Sequence, residues 1–522
     1  MSSRFAQVIV RNTLATLGVR LAIATVSIWL TPYVLAKLGN ELYGLWVLAL
    51  SVTGYVGLVD LGYGTSLTKY VAEYNTRGDR EGVNGVFTTG LVVYLVVTVG
   101  IVAAAHPVVR GLIGLLAVPE GLTSTAYVVL QLGVLSLVVW NFAAVYQSVV
   151  NGLQRMDVST AIHGFQFLGY AVGTVLALQL GFGIRGLAAT NLVVQLVGLL
   201  LSAHFAYRLD PGLRLHPRAV RQHFTTLFRY GLNVHISAIA GLVNFHFDKL
   251  LINRVVGVSH VALYDIGSRL PLTLRSFPTL LLSALTPASA ELEVRRGRAE
   301  LYALFSRASR YVSLVAFPLF VGAMAMGQPF VDAWVGPGYD TSVVTLRILC
   351  VGYLLNTIAG PVSPLVSGMG RTDYQRNAET LSLVLNVGLS LVLIIPYGFY
   401  GAPIGTTIAM STSALYYLWA FHRFMERPFL ASITGVWLKP ALCASAAGVV
   451  GLLVSTTLPP PGGGGRVGSL LVFLVAGVAF TTVFTVLIWR SAYLDSWDRA
   501  LLREQVARLR LRRALRSRGP SA

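Results

Sequence analysis

Runs of about twenty apolar residues follow one another along almost the whole chain, separated by short polar breaks. A helix of that length crosses the hydrocarbon core of a bilayer, so the pattern predicts an all-α polytopic membrane protein. Fourteen spans are expected, at 14–36, 42–64, 85–105, 126–150, 160–180, 186–207, 230–253, 258–287, 311–335, 341–367, 377–396, 401–422, 437–458 and 468–489. Only 12% of residues are charged, about half the share usual in a soluble domain, and mean hydropathy is +0.68.

An even number of spans puts both termini on one side, and the loops then sort into two sets. The set that includes the termini holds 30 Lys and Arg; the other holds five, namely Lys37, Arg110, Arg185, Arg254 and Arg466. Cations collect on the cytoplasmic side of a membrane protein, so both termini are expected in the cytoplasm and the chain in the cytoplasmic membrane. Most of the formal charge of +19 is thereby assigned to topology. Nucleic-acid binding is not expected, because no basic soluble domain exists to carry it. No cleavable signal is expected either, since residues 1–12 lead straight into a long helical segment.

The chain also resembles itself. Ala72-Glu73 with Arg77-Gly78 and Glu81 returns as Ala290-Glu291 with Arg296-Gly297 and Glu300. Asn151-Gly152, Arg155 and Asp157 return as Ser367-Gly368, Arg371 and Asp373, and Gly183 with Gly186 returns as Gly398 with Gly401. Gly39 with Tyr43-Gly44-Leu45 matches Gly257 with Val261-Ala262-Leu263. All offsets fall between 215 and 219, which reads as a duplication of six spans. Six is even, so the repeats run parallel and a central cavity is expected at their interface near the midplane. The expected organisation is a six-helix lobe at 1–207, a basic cytoplasmic linker at 208–229, a second six-helix lobe at 230–422, two further helices at 423–490, and a basic amphipathic tail at 491–522.

Ionisable groups inside a span cost several kcal/mol unless they face a cavity or a partner, so their positions point inward. On the first span Thr13, Thr16, Arg20, Ala24, Ser27 and Thr31 share one helical face. On the seventh, Tyr230, Asn233, Ser237, Gly241, Asn244 and Asp248 do the same. The eighth adds Asp265, Arg269 and Arg275, and the second adds Asp60. Arg20, Arg269, Arg275, Asn233 and Asn244 are the candidate substrate-binding residues. Asp60, Asp248 and Asp265 are candidates for cavity ion pairs or coupling. Plainer readings stand beside these. Asp265 and Arg269, four apart, can neutralise each other along one helix, Arg20 and Asp60 can form a structural pair, and Lys249, about a right angle from the Asp248 stripe, is expected to snorkel to the outer interface.

Cys350 and Cys443 sit in apolar runs and read as core residues. His163, His204, His235 and His246 read as hydrogen-bonded intramembrane histidines more readily than as a proton relay. No metal-ligand spacing is present, so no metal, cofactor or catalytic residue is expected. The arginine-rich tail, with leucines interleaved, suits anionic lipid at the inner leaflet.

Two phrases carry a family resemblance: Leu38-Gly39-Asn-Glu-Leu-Tyr43-Gly44-Leu45-Trp46 followed by Gly57-Leu-Val-Asp60-Leu-Gly62-Tyr-Gly64, and Phe247-Asp248-Lys249 with Tyr264 and Arg269 beyond. With the six-plus-six-plus-two plan, the chain resembles the polysaccharide-transporter branch of the multidrug, oligosaccharidyl-lipid and polysaccharide exporter superfamily, the Wzx-like O-antigen flippases. The resemblance implies movement of an undecaprenyl-diphosphate-linked oligosaccharide from the inner to the outer leaflet, with polysaccharide polymerase and chain-length machinery as partners. Arginine's planar fork suits a diphosphate, and hydroxyl and amide stripes suit a sugar. A multidrug or toxin antiporter and a lipid II flippase of the same superfamily are the alternatives. A membrane enzyme is disfavoured by the short external loops.

Overall fold

The computed structural model describes residues 3–56, 63–282, 297–461 and 465–493, with isolated positions 285 and 289. Among these the chain is helical almost throughout. α1 (Ser3–Val56) bends at Gly39, whose φ of 73° and ψ of 172° only glycine adopts readily. Then come α2 (Tyr63–Thr76), α3 (Arg80–Leu115), α4 (Thr123–Gly152), α5 (Met156–Gln179) and α6 (Gly183–Leu209). α7 (Val220–Val255) and α8 (Val258–Leu282) follow, then α9 (Arg298–Ala325), the short α10 (Gly327–Trp334), α11 (Asp340–Ala359) and the short α12 (Val362–Gly368). α13 (Thr372–Tyr397) and α14 (Gly401–Phe424) follow, then a short helical turn at Phe429–Ser432 and a π-helical turn at Ile433–Trp437 that lead into α15 (Leu438–Thr457), and α16 (Arg466–Arg490).

Among the described residues, nine helical stretches are long and apolar enough to cross a membrane, and one of them, 373–424, takes in both α13 and α14. The protein is a multi-pass helical membrane protein.

The turns that recur in sequence also recur in backbone geometry. Gly39 and Gly257 have φ of 73° and 115°, Gly78 and Gly297 have 71° and 79°, and Gly183 and Gly398 have 55° and 53°. Gln154 at 61° stands where Gly370 has 70°. In that turn Arg155 pairs with Asp157 at 3.0 Å and Arg371 with Asp373 at 3.6 Å. A further match lies outside the sequence motifs: Ala117 and Gly336 both take positive φ.

The helices form two compact units, residues 1–269 with 376–413, and residues 270–375 with 414–522. This division differs from the chain-order lobes 1–207 and 230–422, because α7, the first half of α8 and residues 376–413 pack in the same unit as α1–α6. In the first unit Tyr63, Leu67, Val71, Phe87, Tyr94, Val149 and Val150 form a buried core. Gly152 lets α4 close on it, since a Cβ there would lie 2.5 Å from the Val71 side chain. Asp79 caps α3 by accepting from the Gly82 amide at 2.8 Å. In the second unit Phe305 lies 4.7 Å from Phe421. Tyr493, just after α16, donates its hydroxyl to the Val436 carbonyl at 2.8 Å, while Arg310 donates to the Tyr493 carbonyl. The expected amphipathic tail lies outside the described residues from residue 494 onward.

Candidate functional site

Three helical segments of the first unit converge on one buried carboxylate. Asp265, on α8, is 5% exposed. Its Oδ1 accepts from Lys249 Nζ at 2.9 Å, and its Oδ2 accepts from Arg269 Nε at 2.7 Å and from the Tyr43 hydroxyl at 2.8 Å. Arg269 also donates through Nη1 to Thr31 Oγ1 at 2.9 Å. Thr31 in turn donates to the Ser27 carbonyl one turn earlier. The i to i+4 spacing of Asp265 and Arg269 fixes their pairing within α8. The bend at Gly39 lets one helix offer both Thr31, before it, and Tyr43, after it.

The cluster holds two cations and one carboxylate, and its members differ in access. The side chains are 7% exposed for Asp265, 15% for Lys249 and 35% for Arg269. Charges withdrawn from water cost several kcal/mol each unless paired and hydrogen-bonded, and Asp265 meets that demand with three donors. The outward, snorkelling role expected for Lys249 is corrected here. Its stem does leave α7 on a different face from Asp248, but that face meets Asp265 on α8, and a buried carboxylate at 2.9 Å holds the ammonium in place of the outer interface.

Asp248 occupies a separate site. It is fully buried and is held by hydroxyls: Tyr264 donates at 2.5 Å and Ser390 at 3.1 Å, and Thr406 donates as well. Asn386 donates to Thr406 at 2.7 Å and so orients that hydroxyl toward the carboxylate. α7, α8, α13 and α14 each contribute to this cage. No cation stands within ion-pair distance of Asp248 among the described residues.

The candidate substrate residues are placed unevenly. Arg269 joins the Asp265 cluster. Arg275 is half-buried on the second-unit part of α8 and has no ion-pair partner among the described residues. Arg20, Asn233 and Asn244 lie on described helical backbone, but their side chains are outside the described residues, and Asp60 is outside altogether. The second unit also holds an apolar groove of about 580 Å³, lined by Leu270, Pro318, Met326, Phe330, Phe473 and Phe480.

Sequence reasoning missed the neutral partners. Tyr43 stands in the resemblance phrase without a role, and Ser390, Thr406 and Asn386 sit in apolar runs of α13 and α14. The signal was the i to i+4 spacing of Ser382, Asn386 and Ser390, which stacks polar groups on one face of the apolar stretch of α13.

The fold and this polar interior define a multi-pass helical membrane protein with ionisable groups buried between its helices. It is similar to the structure titled "Lipid II flippase MurJ, inward closed conformation", with a TM-score of 0.73, 14% identity, and coverage of 92% of this chain and 99% of that one. Residues 9–293 match the polysaccharide biosynthesis protein family, and the chain belongs to that family. Among relatives, it is 23% identical to the "uncharacterized membrane protein EpsK" of Bacillus subtilis over 76% of this chain and 80% of that protein. It is 20% identical to a "putative O-antigen transporter" of Shigella flexneri over 74% of this chain and 91% of that protein.

Proposed function

We propose that the protein is a flippase that carries an undecaprenyl-diphosphate-linked oligosaccharide from the inner to the outer leaflet of the cytoplasmic membrane by alternating access. The product serves assembly of O-antigen, capsule or exopolysaccharide, with polymerase and chain-length machinery downstream and both termini in the cytoplasm. The observation that carries this reading is the surplus of cations over acids among the named intramembrane side chains. Lys249, Arg269 and Arg275 are set against Asp265, and Asp248 is sequestered by hydroxyls. A diphosphate headgroup supplies the missing negative charge. Family membership and the O-antigen transporter relative support the same substrate class.

The polar stripe of Arg20, Asn233 and Asn244 would accompany the sugar, the basic tail would rest on anionic lipid, and the lipid chain would remain in the bilayer. Outward movement of a negative headgroup across an inside-negative membrane is favoured by about 2.3 kcal/mol per charge per 100 mV. Asp248 is the group proposed for coupling, because a buried acid held only by neutral donors can change its proton or cation occupancy without breaking an ion pair. Asp60 and Asp265 are proposed as cavity ion-pair members.

Deletion of the gene should abolish surface polysaccharide and leave the lipid-linked repeat unit on the inner leaflet, with the wild-type gene restoring export. Arg275→Ala should remove export while protein abundance stays normal. Intact export in that variant would take Arg275 off the path. Rescue of a strain lacking its lipid II flippase, without rescue of polysaccharide, would replace this reading with the lipid II alternative. Drug export with no effect on either lipid would replace it with the antiporter.

A further inference from the structure

The Asp265 cluster sits where α1 meets α7 and α8, and the backbones there are in close contact. A Cβ added to Gly44 would lie 2.0 Å from the Val258 carbonyl oxygen and 3.5 Å from the Ala262 nitrogen. At Gly44 no side chain fits between the two helices, and this part of the seam shuts by backbone contact. Beside it, two hydrogen bonds cross from α1, Tyr43 to Asp265 and Arg269 to Thr31. With the termini cytoplasmic, the seam lies in the outer half of the membrane.

We propose that Lys249 and Arg269 form an anion site whose resident occupant is Asp265, and that a diphosphate-class anion arriving from the cytoplasmic side draws Arg269 away and loosens the seam. The proposal rests on the flippase reading for the identity of the anion. Three observations support it. Two cations share one carboxylate, so the site holds one more positive charge than its occupant neutralises. Arg269 is the most accessible member, at 35% side-chain exposure, and is the one an incoming anion meets first. Its loss from the cluster leaves Asp265 with Lys249 and Tyr43, so the carboxylate keeps two donors when the guanidinium turns. The bonds given up across the seam then include the one to Thr31. A diphosphate competes well for that fork because charge-assisted bonds from guanidinium to phosphate form in pairs.

The test uses the quiet thiol background, since Cys350 and Cys443 are both buried. Ser27→Cys places a reporter one turn to the cytoplasmic side of Thr31. Right-side-out membrane vesicles carrying the full chain are loaded with inorganic pyrophosphate, and a membrane-impermeant maleimide is added outside. Pyrophosphate should raise the labelling rate by about fivefold or more, the scale of an ordinary coupling between two sites. In the Thr31→Val background labelling should be high before pyrophosphate is added. In the Arg269→Gln background pyrophosphate should have no effect, and Arg269→Lys, which keeps the charge without the fork, serves if the glutamine variant is not inserted.

Labelling that ignores pyrophosphate in the reporter protein overturns the proposal, as does a response that survives loss of Arg269. Pyrophosphate carries no lipid, so the two readings fail separately. A pyrophosphate response in a chain that cannot restore polysaccharide removes the flippase reading alone, and restored export with no response removes the anion-released seam alone.

Discussion

The Tyr43 hydroxyl donates to Asp265 at 2.8 Å, joining positions 222 residues apart in a buried contact between α1 and α8. Asp265 therefore serves as the hub for two cations and one phenol. Removing one partner of a buried charge set costs about 3–5 kcal/mol, because the remaining charge is left uncompensated. Asp265→Ala should lower the thermal unfolding midpoint of the purified protein by far more than Tyr43→Phe, which deletes one hydrogen bond to a charged group, about 1.5–3 kcal/mol. Adding Lys249→Met to Asp265→Ala should recover part of the loss. A double variant no better than the single one would argue that Lys249 and Asp265 do not compensate each other.

Asp248 calls for a different substitution, because its three partners are neutral hydroxyls. Asp248→Asn keeps an acceptor for at least one of them and should cost about 1–3 kcal/mol of stability. Export should become indifferent to an imposed ion or proton gradient while the protein remains inserted. Gradient-driven export that persists in Asp248→Asn would remove this residue from coupling.

Gly44 provides a steric test. Gly44→Ala should destabilise the protein measurably, since the new methyl would meet the Val258 carbonyl, part of a backbone that cannot turn aside. Gly388→Ala, also in a helix but with nothing within 4 Å, should be neutral or stabilising by about 0.5–1 kcal/mol. Equal melting shifts for the two variants would contradict the close approach of α1 to α8.

His223 gives a pH signature outside the membrane-spanning segments. Its ring stands edge-on to Tyr74 at 5.5 Å and against Gly85, and burial holds its pKa below the ordinary value. The folded protein thus binds the proton less readily than the unfolded chain. Stability from this group is present above the ordinary histidine pKa, about 6.5, and is lost as pH falls through that value toward the depressed one. The unfolding midpoint should decline between pH 7.5 and 5, and His223→Phe should flatten part of that decline. An unchanged slope would place the acid sensitivity elsewhere.

Much of the frame was legible from the sequence because it depends on period and length. Nine helical stretches of spanning length stand among the described residues, and turns matched at offsets of 215–219 share left-handed backbone conformations, even where Gln154 stands opposite Gly370. The ion cluster was half legible: spacing along α8 gives Asp265 with Arg269, but the reach of Lys249 from α7 depends on how the two helices cross, which spacing does not encode. The cage around Asp248 was illegible for another reason. Ser390 and Thr406 are neutral and sit among apolar residues, and although Ser390 shares a helical face with Asn386, that spacing does not distinguish a hydroxyl aimed at Asp248 from one that bonds back to its own helix. Arg20, Asn233, Asn244 and Asp60 remain expectations from helical periodicity alone.

The ionised groups named in the Asp265 cluster belong to α7 and α8, and among the described residues α1 offers it a phenol and a threonine hydroxyl. The seam can therefore part without pulling opposite charges away from each other, since Lys249, Asp265 and Arg269 can travel together on one side. The work of opening includes two charge-assisted hydrogen bonds, about 1.5–3 kcal/mol each, and backbone packing. Such a gate separates no opposite charges when it parts: what lets go on the α1 side is neutral, and the ion pairs stay whole on the other.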